Sequence, residues 1–467
     1  MFVGRQKELQ ILNELYESDK FEMLLLHGRR RVGKSYLLAN FVSKHPTNTI
    51  YFTADKASEK ENVFRFVQEM KKIIHTNDYV DLFEKWYDVF SLIDEKIIDK
   101  KLVIVIDEFT YLLYQNPEFD SVLQNAIDRI LKNKNILLIL CGSEVSVIED
   151  LLSNSNKPLY GRKTADLKVE PFTYLEAKEF FPNYSNEDSL IAYSILGGIP
   201  LYLSLFDDKK SIKENVIKHC LSTTGYLFNE ASNVLKMELK ETTYYESILV
   251  AINGGSSTFN DITTKVNGEP AKIAKYLKIL CNLGIVQKEV PSGEKPNSRN
   301  SLYIIYDNYI AFWFRFVYRH MPMLNGLIAP EAYYEKELNK SNLNTFVGHR
   351  FEKVCEQFLK SKAFNGKLPF YPETLGRWWG NNPILKKQEE VDILAQDGEN
   401  ALLCECKFTT TQFDKKELDD LFESSLCFNK KRKHYIIISK SGFTDYVIEK
   451  AKEEKIVLIT LDDLYNN

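Results

Sequence analysis

The chain has 467 residues, 44% hydrophobic and 27% charged, with a formal net charge of -4 and seven cysteines. That length exceeds one ordinary core and predicts about three or four domains, while the composition excludes a disordered chain. Apolar runs such as "LVIVI" and "ILLILCG" are too short to span a bilayer, and the acidic balance leaves DNA only local basic patches to contact.

The opening "MFVGRQKELQ" lacks the basic-then-apolar layout of a secretory signal, and odd, scattered cysteines imply reduced thiols. A cytoplasmic protein is expected. The first informative element is "MLLLHGRRRVGKSYLLANFV". Met23–Leu26 reads as a buried strand, followed by Gly28-x-x-x-x-Gly33-Lys34-Ser35 and an amphipathic helix. This is a phosphate loop in its strand–loop–helix setting. Its glycines let backbone N–H groups face a β-phosphate, aided by the positive end of the helix. Arg29, Arg30, Arg31 and Val32 fill the loop and Tyr36 follows it, so the whole segment is assigned to nucleotide binding. Lys34 would neutralise the β- and γ-phosphates of ATP, and Ser35 would ligate Mg²⁺.

"KLVIVIDEF" predicts a strand buried on both faces and ending in Asp107-Glu108. Asp107 suits the Mg²⁺ shell, and Glu108 can polarise the water that attacks the γ-phosphate. A third apolar strand, "NILLILCGSE", ends at Ser143. That hydroxyl either senses the γ-phosphate or caps a helix. In "PLYGRKT", Arg162 is either an arginine finger for a neighbouring subunit's nucleotide or an ordinary surface arginine.

Residues 170–240 read as helices. "ESILVAINGG", "TFNDITTKV" and "EPAKIAKYLKILCNLG" then give three helices, and "IVQKEV" and "SLYIIY" a hairpin around the tip "PSGEKPNSRN". Three helices and a hairpin make a winged helix. Lys272, Lys275 and Lys278, with Lys295 and Arg299 on the wing, face either a DNA backbone or solvent beside a packing surface. "YDNYIAFWFRFVYRH" predicts an aromatic packing helix.

From "NTFVGHRFEKVCEQFL" the pattern becomes helix, hairpin, helix, strand, helix, strand, a small mixed sheet carrying helices. The hairpin is "EVDILAQ"–"DGEN"–"ALLCECKF". Alternation puts Glu405 and Lys407 on one face and Cys404 and Cys406 on the other. No further cysteine or histidine stands at ligand spacing, so the cysteines read as packing rather than a zinc clip. Asp392 on the first strand and Glu405 on the second can meet as hard oxygen donors for Mg²⁺, with Glu352 completing the set from the preceding helix. Lys407 can orient water or neutralise charge on a phosphorus. Glu-x-Lys also recurs at Glu69, Glu176, Glu238 and Glu453, but on segments that read as helices.

"FVGRQKELQIL", "GRRRVGKS", "VIVIDEF", "LILCGSE", "LYGR" and "LGGIPLYL" resemble, in this order, the archaeal-type ATPases of the AAA+/STAND class. That resemblance implies Gly4 and Arg5, with Glu8, near the adenine, Ser143 as first sensor, and Gly198 and Pro200 in a helical lid. The last quarter resembles the PD-(D/E)XK nuclease fold found as a domain of unknown function behind such ATPases, through Glu352, Asp392, Glu405 and Lys407. It departs in having Val391 where the literal motif has proline.

The expected fold class is multidomain α/β. A P-loop NTPase core with a parallel sheet occupies 1–168, a helical lid 169–242, and a winged helix 243–308. A helical connector follows over 309–344, then a restriction-endonuclease-like α/β domain over 345–467. The expected function is Mg²⁺-dependent ATP hydrolysis coupled to a DNA-binding, nuclease-like domain, with no membrane partner and a homo-oligomer in which Arg162 acts in trans. The alternative is an ATP-dependent regulatory switch, or a DNA-binding regulator, whose nuclease-like domain does not cut.

Overall fold

The computed structural model describes all residues except 1, 77, 97–100, 145–146, 149, 152–153, 240–241 and 467. The chain forms two compact units, residues 1–171 with 199–201, and residues 172–198 with 202–467.

Unit 1 is built on five parallel strands: β1 (Glu22–His27), β2 (Thr49–Thr53), β3 (Leu102–Asp107), β4 (Ile136–Gly142) and β5 (Ala165–Lys168). Every residue of β1, β3 and β4 is buried, as continuous apolar runs require when helices cover both faces. Alternation divides these side chains between two cores. Met23, Leu25, Ile104, Ile106, Leu138 and Leu140 pack towards Phe52, Phe66 and Trp86. Leu24, Leu26, Val103, Val105, Leu137 and Ile139 pack towards Leu12 and Phe41. The strand order is β2-β3-β4-β1-β5, so β4 separates the phosphate-loop strand from the Asp107 strand. All three strands point their C-terminal ends the same way, where open α/β sheets bind ligands. The short, half-exposed β5 carries no apolar run, and the sequence reading did not find it.

In unit 2, helices Thr242–Asn253, Phe259–Val266 and Pro270–Asn282 precede the antiparallel pair β6 (Val286–Glu289) and β7 (Leu302–Ile305), the expected winged-helix order. Helix Asn308–Phe316 buries its aromatic residues: Tyr309 Oη donates to the Leu227 carbonyl, and Trp313 Nε1 to that of Phe228 at 2.7 Å. These rings are packing elements, not a platform for bases. Lys272, one of the three candidate DNA-facing lysines, has its ammonium 3.9 Å from the centre of the Tyr244 ring.

Helix Lys340–Phe364 buries Phe351, Val354, Cys355, Phe358 and Leu359, the stripe expected from the sequence. The sheet beside it has the order β12-β11-β10-β9-β8, comprising β8 (Thr374–Asn381), β9 (Gln388–Gln396), β10 (Asn400–Lys407), β11 (Arg432–Ser439) and β12 (Val457–Thr460). β8 pairs antiparallel to β9 and corrects the two-stranded hairpin of the sequence reading. Its sequence, "TLGRWWGN", is half-buried with no clean alternation and contains two glycines, so no strand period marks it.

The wing is tied into this sheet. Ser292 is buried; its N–H donates to the Arg377 carbonyl at 2.9 Å and its hydroxyl to the Leu394 carbonyl at 2.9 Å. Gln396 Nε2 donates back to the Ser292 carbonyl at 3.0 Å. Beside these bonds, the buried Glu289 forms an ion pair with Lys353 of the long helix. Removing one partner of a buried pair leaves an uncompensated charge at a cost of about 3–5 kcal/mol. Lys353→Ala is therefore expected to lower the melting temperature by several degrees and to open residues 290–300 to limited proteolysis. Unchanged melting and cleavage would show that the pair does not hold the wing.

Candidate functional site

Two centres emerge, one in each unit. In unit 1 the chain leaves β1 and turns at Gly28, whose φ is 149°. A Cβ there would lie 2.4 Å from the Val169 carbonyl oxygen, so the turn requires glycine. Arg31 and Gly33 also take positive φ, 69° and 96°, which curls the loop before helix Lys34–Val42 begins. The Lys34 ammonium is buried and donates to the carbonyls of Gly28 at 2.8 Å and Arg29 at 3.1 Å. Burial pulls its pKa down, opposed by Cys141, Glu108 and Asp107. It is thus held inside the loop by the loop's own carbonyls.

Arg5 clamps the phosphate loop. Its buried guanidinium donates to the Val32 carbonyl at 2.8 Å and to the Glu170 carbonyl at 2.7 Å, and pairs with Glu8 at 3.0 Å. Gly4 and Arg5, both at φ 62°, bend the chain to deliver this clamp to the back of the phosphate loop. Tyr36, exposed at the start of the helix, stacks on Phe2 with ring centroids 5.7 Å apart. Arg30 Nη2 donates to Tyr111 Oη at 3.4 Å.

Asp107 ends β3 with its carboxylate buried and nearly saturated. Oδ1 accepts from the Glu108 N–H at 3.0 Å, Oδ2 accepts from Tyr51 Oη at 2.9 Å, and the Cys141 thiol also bonds to it. Burial pushes the Cys141 thiol up, so it stays a neutral donor. Glu108 adopts φ 53°, an uncommon conformation for this residue, and Ser143 Oγ lies 3.1 and 2.9 Å from its two carboxylate oxygens. The structure thus brings Lys34, Asp107, Glu108 and Ser143 together. Tyr51 was missed; a tyrosine in "TIYFT" carries no motif, and only its reach along the strand reveals it.

Arg162 is half-buried and engaged within its own unit. Its Nε and Nη2 donate to the two Asp128 oxygens at 3.1 and 2.7 Å, and Nη1 to the Pro158 carbonyl at 2.6 Å. A bidentate pair of this kind fixes the guanidinium geometrically.

The second centre lies at the ends of β9 and β10. Pairing runs from Ala401↔Gln396 to Cys404↔Ile393, which sets Asp392 beside Glu405 at the point where regular pairing stops. Asp392 Oδ2 there accepts the Cys406 N–H at 2.8 Å. Its pKa is held well above the carboxylate range by burial, then by the Glu405 charge, with further contributions from Cys406 and Glu352. Burial, Cys406 and Glu352 push Glu405 up to about 8. Lys407 pairs with Glu417 of helix Lys415–Ser425 and donates to the Gln412 carbonyl at 3.3 Å. Glu352 lies 3.8 Å from His349 Nδ1. Glu352, Cys406 and Lys407 all line a cleft of about 610 Å³.

The expected division of faces holds for the cysteines, whose Cys404 and Cys406 sulfurs are 3.9 Å apart. Cys355 joins them from the long helix, a contact that sequence spacing could not reveal. Burial works against a thiolate at Cys406, yet hydrogen bonds from Cys355 and Cys404 bring it down to about 6. Among the described residues, no group of three or more His, Cys, Asp or Glu side chains is arranged to hold a metal ion. Neither a cysteine clip nor a closed three-carboxylate cage is therefore preformed; Asp392 and Glu405 remain as an open pair.

Residues 2–206 match a family model described as an ATPase domain predominantly from Archaea, and residues 313–419 match one described as archaeal and bacterial proteins of unknown function. An uncharacterized protein of Methanocaldococcus jannaschii is 32% identical over 99% of this chain and 100% of its own length. An uncharacterized ATP-binding protein of the same organism is 43% identical over 9% of this chain and 71% of its own. Among solved structures, a Walker-type ATPase of Pyrococcus abyssi aligns with a TM-score of 0.49 at 22% identity, over 67% of this chain and 96% of that one. No helix among the described residues is long and apolar enough to cross a membrane.

Glu405 gives the second centre a pH signature. Its ordinary pKa is 4.5 and its folded value about 8, so between these limits the folded state holds more proton than the unfolded one. Its contribution to stability is complete below 4.5 and is lost as pH rises through 8. Without metal, Glu405→Gln should therefore match the native chain in melting temperature at low pH and exceed it by several degrees at pH ~8.5. A difference of the opposite sign, measured by calorimetry in chelator, would show that the fold favours the carboxylate.

Proposed function

We propose a function from one premise: the chain belongs to the family of archaeal-type ATPases that includes the full-length Methanocaldococcus relative. Unit 1 binds and hydrolyses ATP. Ser35 and Asp107 supply the hydroxyl and carboxylate oxygens that a hard cation needs, and they would hold Mg²⁺. Bound there with the nucleotide, Mg²⁺ would neutralise charge on the β- and γ-phosphate oxygens. Lys34 leaves the Gly28 and Arg29 carbonyls for the phosphates, exchanging neutral acceptors for charged ones. Glu108 is released from Ser143, orients water in line with the γ-phosphorus, and takes up its proton. Ser143 is then free to bond the γ-phosphate, which makes the Ser143–Glu108 bond a gate on hydrolysis.

The finer reading concerns unit 2, where the C-terminal body acts on DNA as a metal-dependent nuclease driven by the ATP cycle. One observation carries it. Two half-buried carboxyls, Asp392 and Glu405, face each other across the strand pair with raised pKa values, and Cys406 and Lys407, the residues after Glu405, line a cleft. Like charges placed together out of water are costly unless a cation repays them, and such costs mark functional sites. Asp392 and Glu405 would hold the Mg²⁺, which would polarise a phosphodiester oxygen. Lys407 would steady the charge gathering on phosphorus, and Glu352 would bound the cleft.

A second reading, an ATP-dependent switch whose C-terminal body binds without cutting, draws on the Lys407–Glu417 ion pair. That pair neutralises the cation that cleavage needs.

Lys34→Ala should abolish ATP binding, whereas Glu108→Gln should keep it and lose at least about a hundredfold in turnover. With Mg²⁺ or Mn²⁺, linear double-stranded DNA should be cut by the native chain and left intact by Asp392→Asn and Lys407→Ala. Cleavage surviving both substitutions would remove the second centre from the chemistry. No cleavage by any form, alongside normal ATP turnover, would favour the switch.

A further inference from the structure

We propose that Tyr51 is a positioning residue of the ATPase centre, joining Ser35 to Asp107 through its hydroxyl and thereby setting the Mg²⁺ affinity of the nucleotide site. The inference rests on the nucleotide-site reading of unit 1. Tyr51 lies on β2, which pairs with β3 so that Thr53, not Tyr51, stands opposite Asp107. Tyr51 is opposite Val105, two residues back on the same face. Its hydroxyl must therefore travel about two strand residues, roughly 7 Å, to reach the carboxylate. A tyrosine ring spans that distance; serine or threonine at this position would not.

The ring packs, half-buried, against the core of Leu24, Leu26, Val103 and Val105. That packing aims it. Its hydroxyl donates to Asp107 Oδ2 at 2.9 Å and accepts from the Ser35 hydroxyl. A hydrogen-bonded relay thus runs from Ser35 through Tyr51, on the edge strand β2, to Asp107, joining the two side chains assigned to the Mg²⁺ shell. With Oδ1 taken by the Glu108 N–H, the Tyr51 bond fixes the remaining rotation of the carboxylate. Groups that orient metal ligands in this way typically carry about 10–100-fold in metal affinity.

The Tyr51 hydroxyl bonds the Ser35 and Asp107 side chains, whereas Lys34 donates to the Gly28 and Arg29 carbonyls. Binding of metal-free nucleotide should therefore not sense it, and this separates positioning from a general structural role. The test is a fluorescent-ATP titration of the full chain, in chelator and across a Mg²⁺ series, for the native protein, Tyr51→Phe, Asp107→Asn and the double variant. Tyr51→Phe keeps the packed ring and removes only the hydroxyl. It should leave the metal-free Kd within twofold and raise the Mg²⁺ midpoint about tenfold. Because Tyr51 acts through Asp107, the double variant should be no worse than Asp107→Asn alone. An unchanged midpoint in Tyr51→Phe, equal weakening with and without Mg²⁺, or additive losses in the double variant would each overturn the role of Tyr51. Failure of the native chain to bind ATP in either buffer would overturn the nucleotide-site reading and this inference with it.

Discussion

Side chains on a strand must alternate between faces, and both candidate centres sit where that alternation ends or is broken. In unit 1 the break is at the end of β3. Asp107 is the last residue of a fully buried strand, and Glu108 follows at φ 53°, turning its carboxylate out of the strand's period towards Ser143. In unit 2 the break lies within β9. Gly376 pairs with Leu394 and Trp378 with Val391, so two steps on β8 meet three on β9. The extra residue falls at Asp392–Ile393, the place where a bulge re-aims a side chain. Asp392 can then accept the Cys406 N–H that a regular ladder would have used.

The two centres answer the same electrostatic problem differently. Asp107 and Glu108 are adjacent carboxylates in a buried setting, but each oxygen of Asp107 has a donor, Ser143 serves Glu108, and Lys34 lies within electrostatic reach. That centre is internally satisfied and needs no cation to be stable as it stands. Asp392 has one backbone donor, and Glu405 is surrounded by Cys406, Glu352, Glu390 and Glu417. Its nearest lysine on the strand is already spent on Glu417. The second centre therefore favours the protonated, neutral carboxyl at Asp392 and at Glu405.

What the sequence disclosed follows from how locally each feature is encoded. The phosphate loop, the Asp107 strand and the winged-helix order are contiguous strings whose chemistry and period coincide, so strand and helix signals agree with the motif. Cys404, Glu405, Cys406 and Lys407 were separable because alternation is a local rule. Tyr51, Cys355 and Ser292 were opaque for the opposite reason. Each acts through a partner far away in sequence, and a lone tyrosine, cysteine or serine in an apolar or turn-rich run has no local signature. β8 stayed hidden because its glycines and adjacent tryptophans carry no strand period. Arg5 and Arg162 were recognised as notable arginines, yet only their acceptors, the Val32 carbonyl and Asp128, show that both are structural clamps as folded.

The contacts within unit 2 bind its parts into one body. A winged helix that swings freely onto DNA needs an unattached wing, but here Ser292 is stitched to Arg377, Leu394 and Gln396, and Glu289 to Lys353. The segment before Gly198 is fastened as well. Tyr174 donates to the Leu464 carbonyl at 2.7 Å, Gln357 to Tyr193 at 3.1 Å, and Lys440 pairs with Glu187 at 2.6 Å. Helices Tyr174–Lys178 and Asn186–Leu196, the wing and the C-terminal sheet are thus bonded to one another rather than strung on linkers. Between them the backbone passes through Ile199–Leu201, which belong to unit 1, where Pro200 lies 3.5 Å from the position a Cβ would take on Gly33 of the phosphate loop. Gly198, at the edge of that strap, has no room for a side chain, since a Cβ would fall 1.9 Å from the Phe172 carbonyl oxygen.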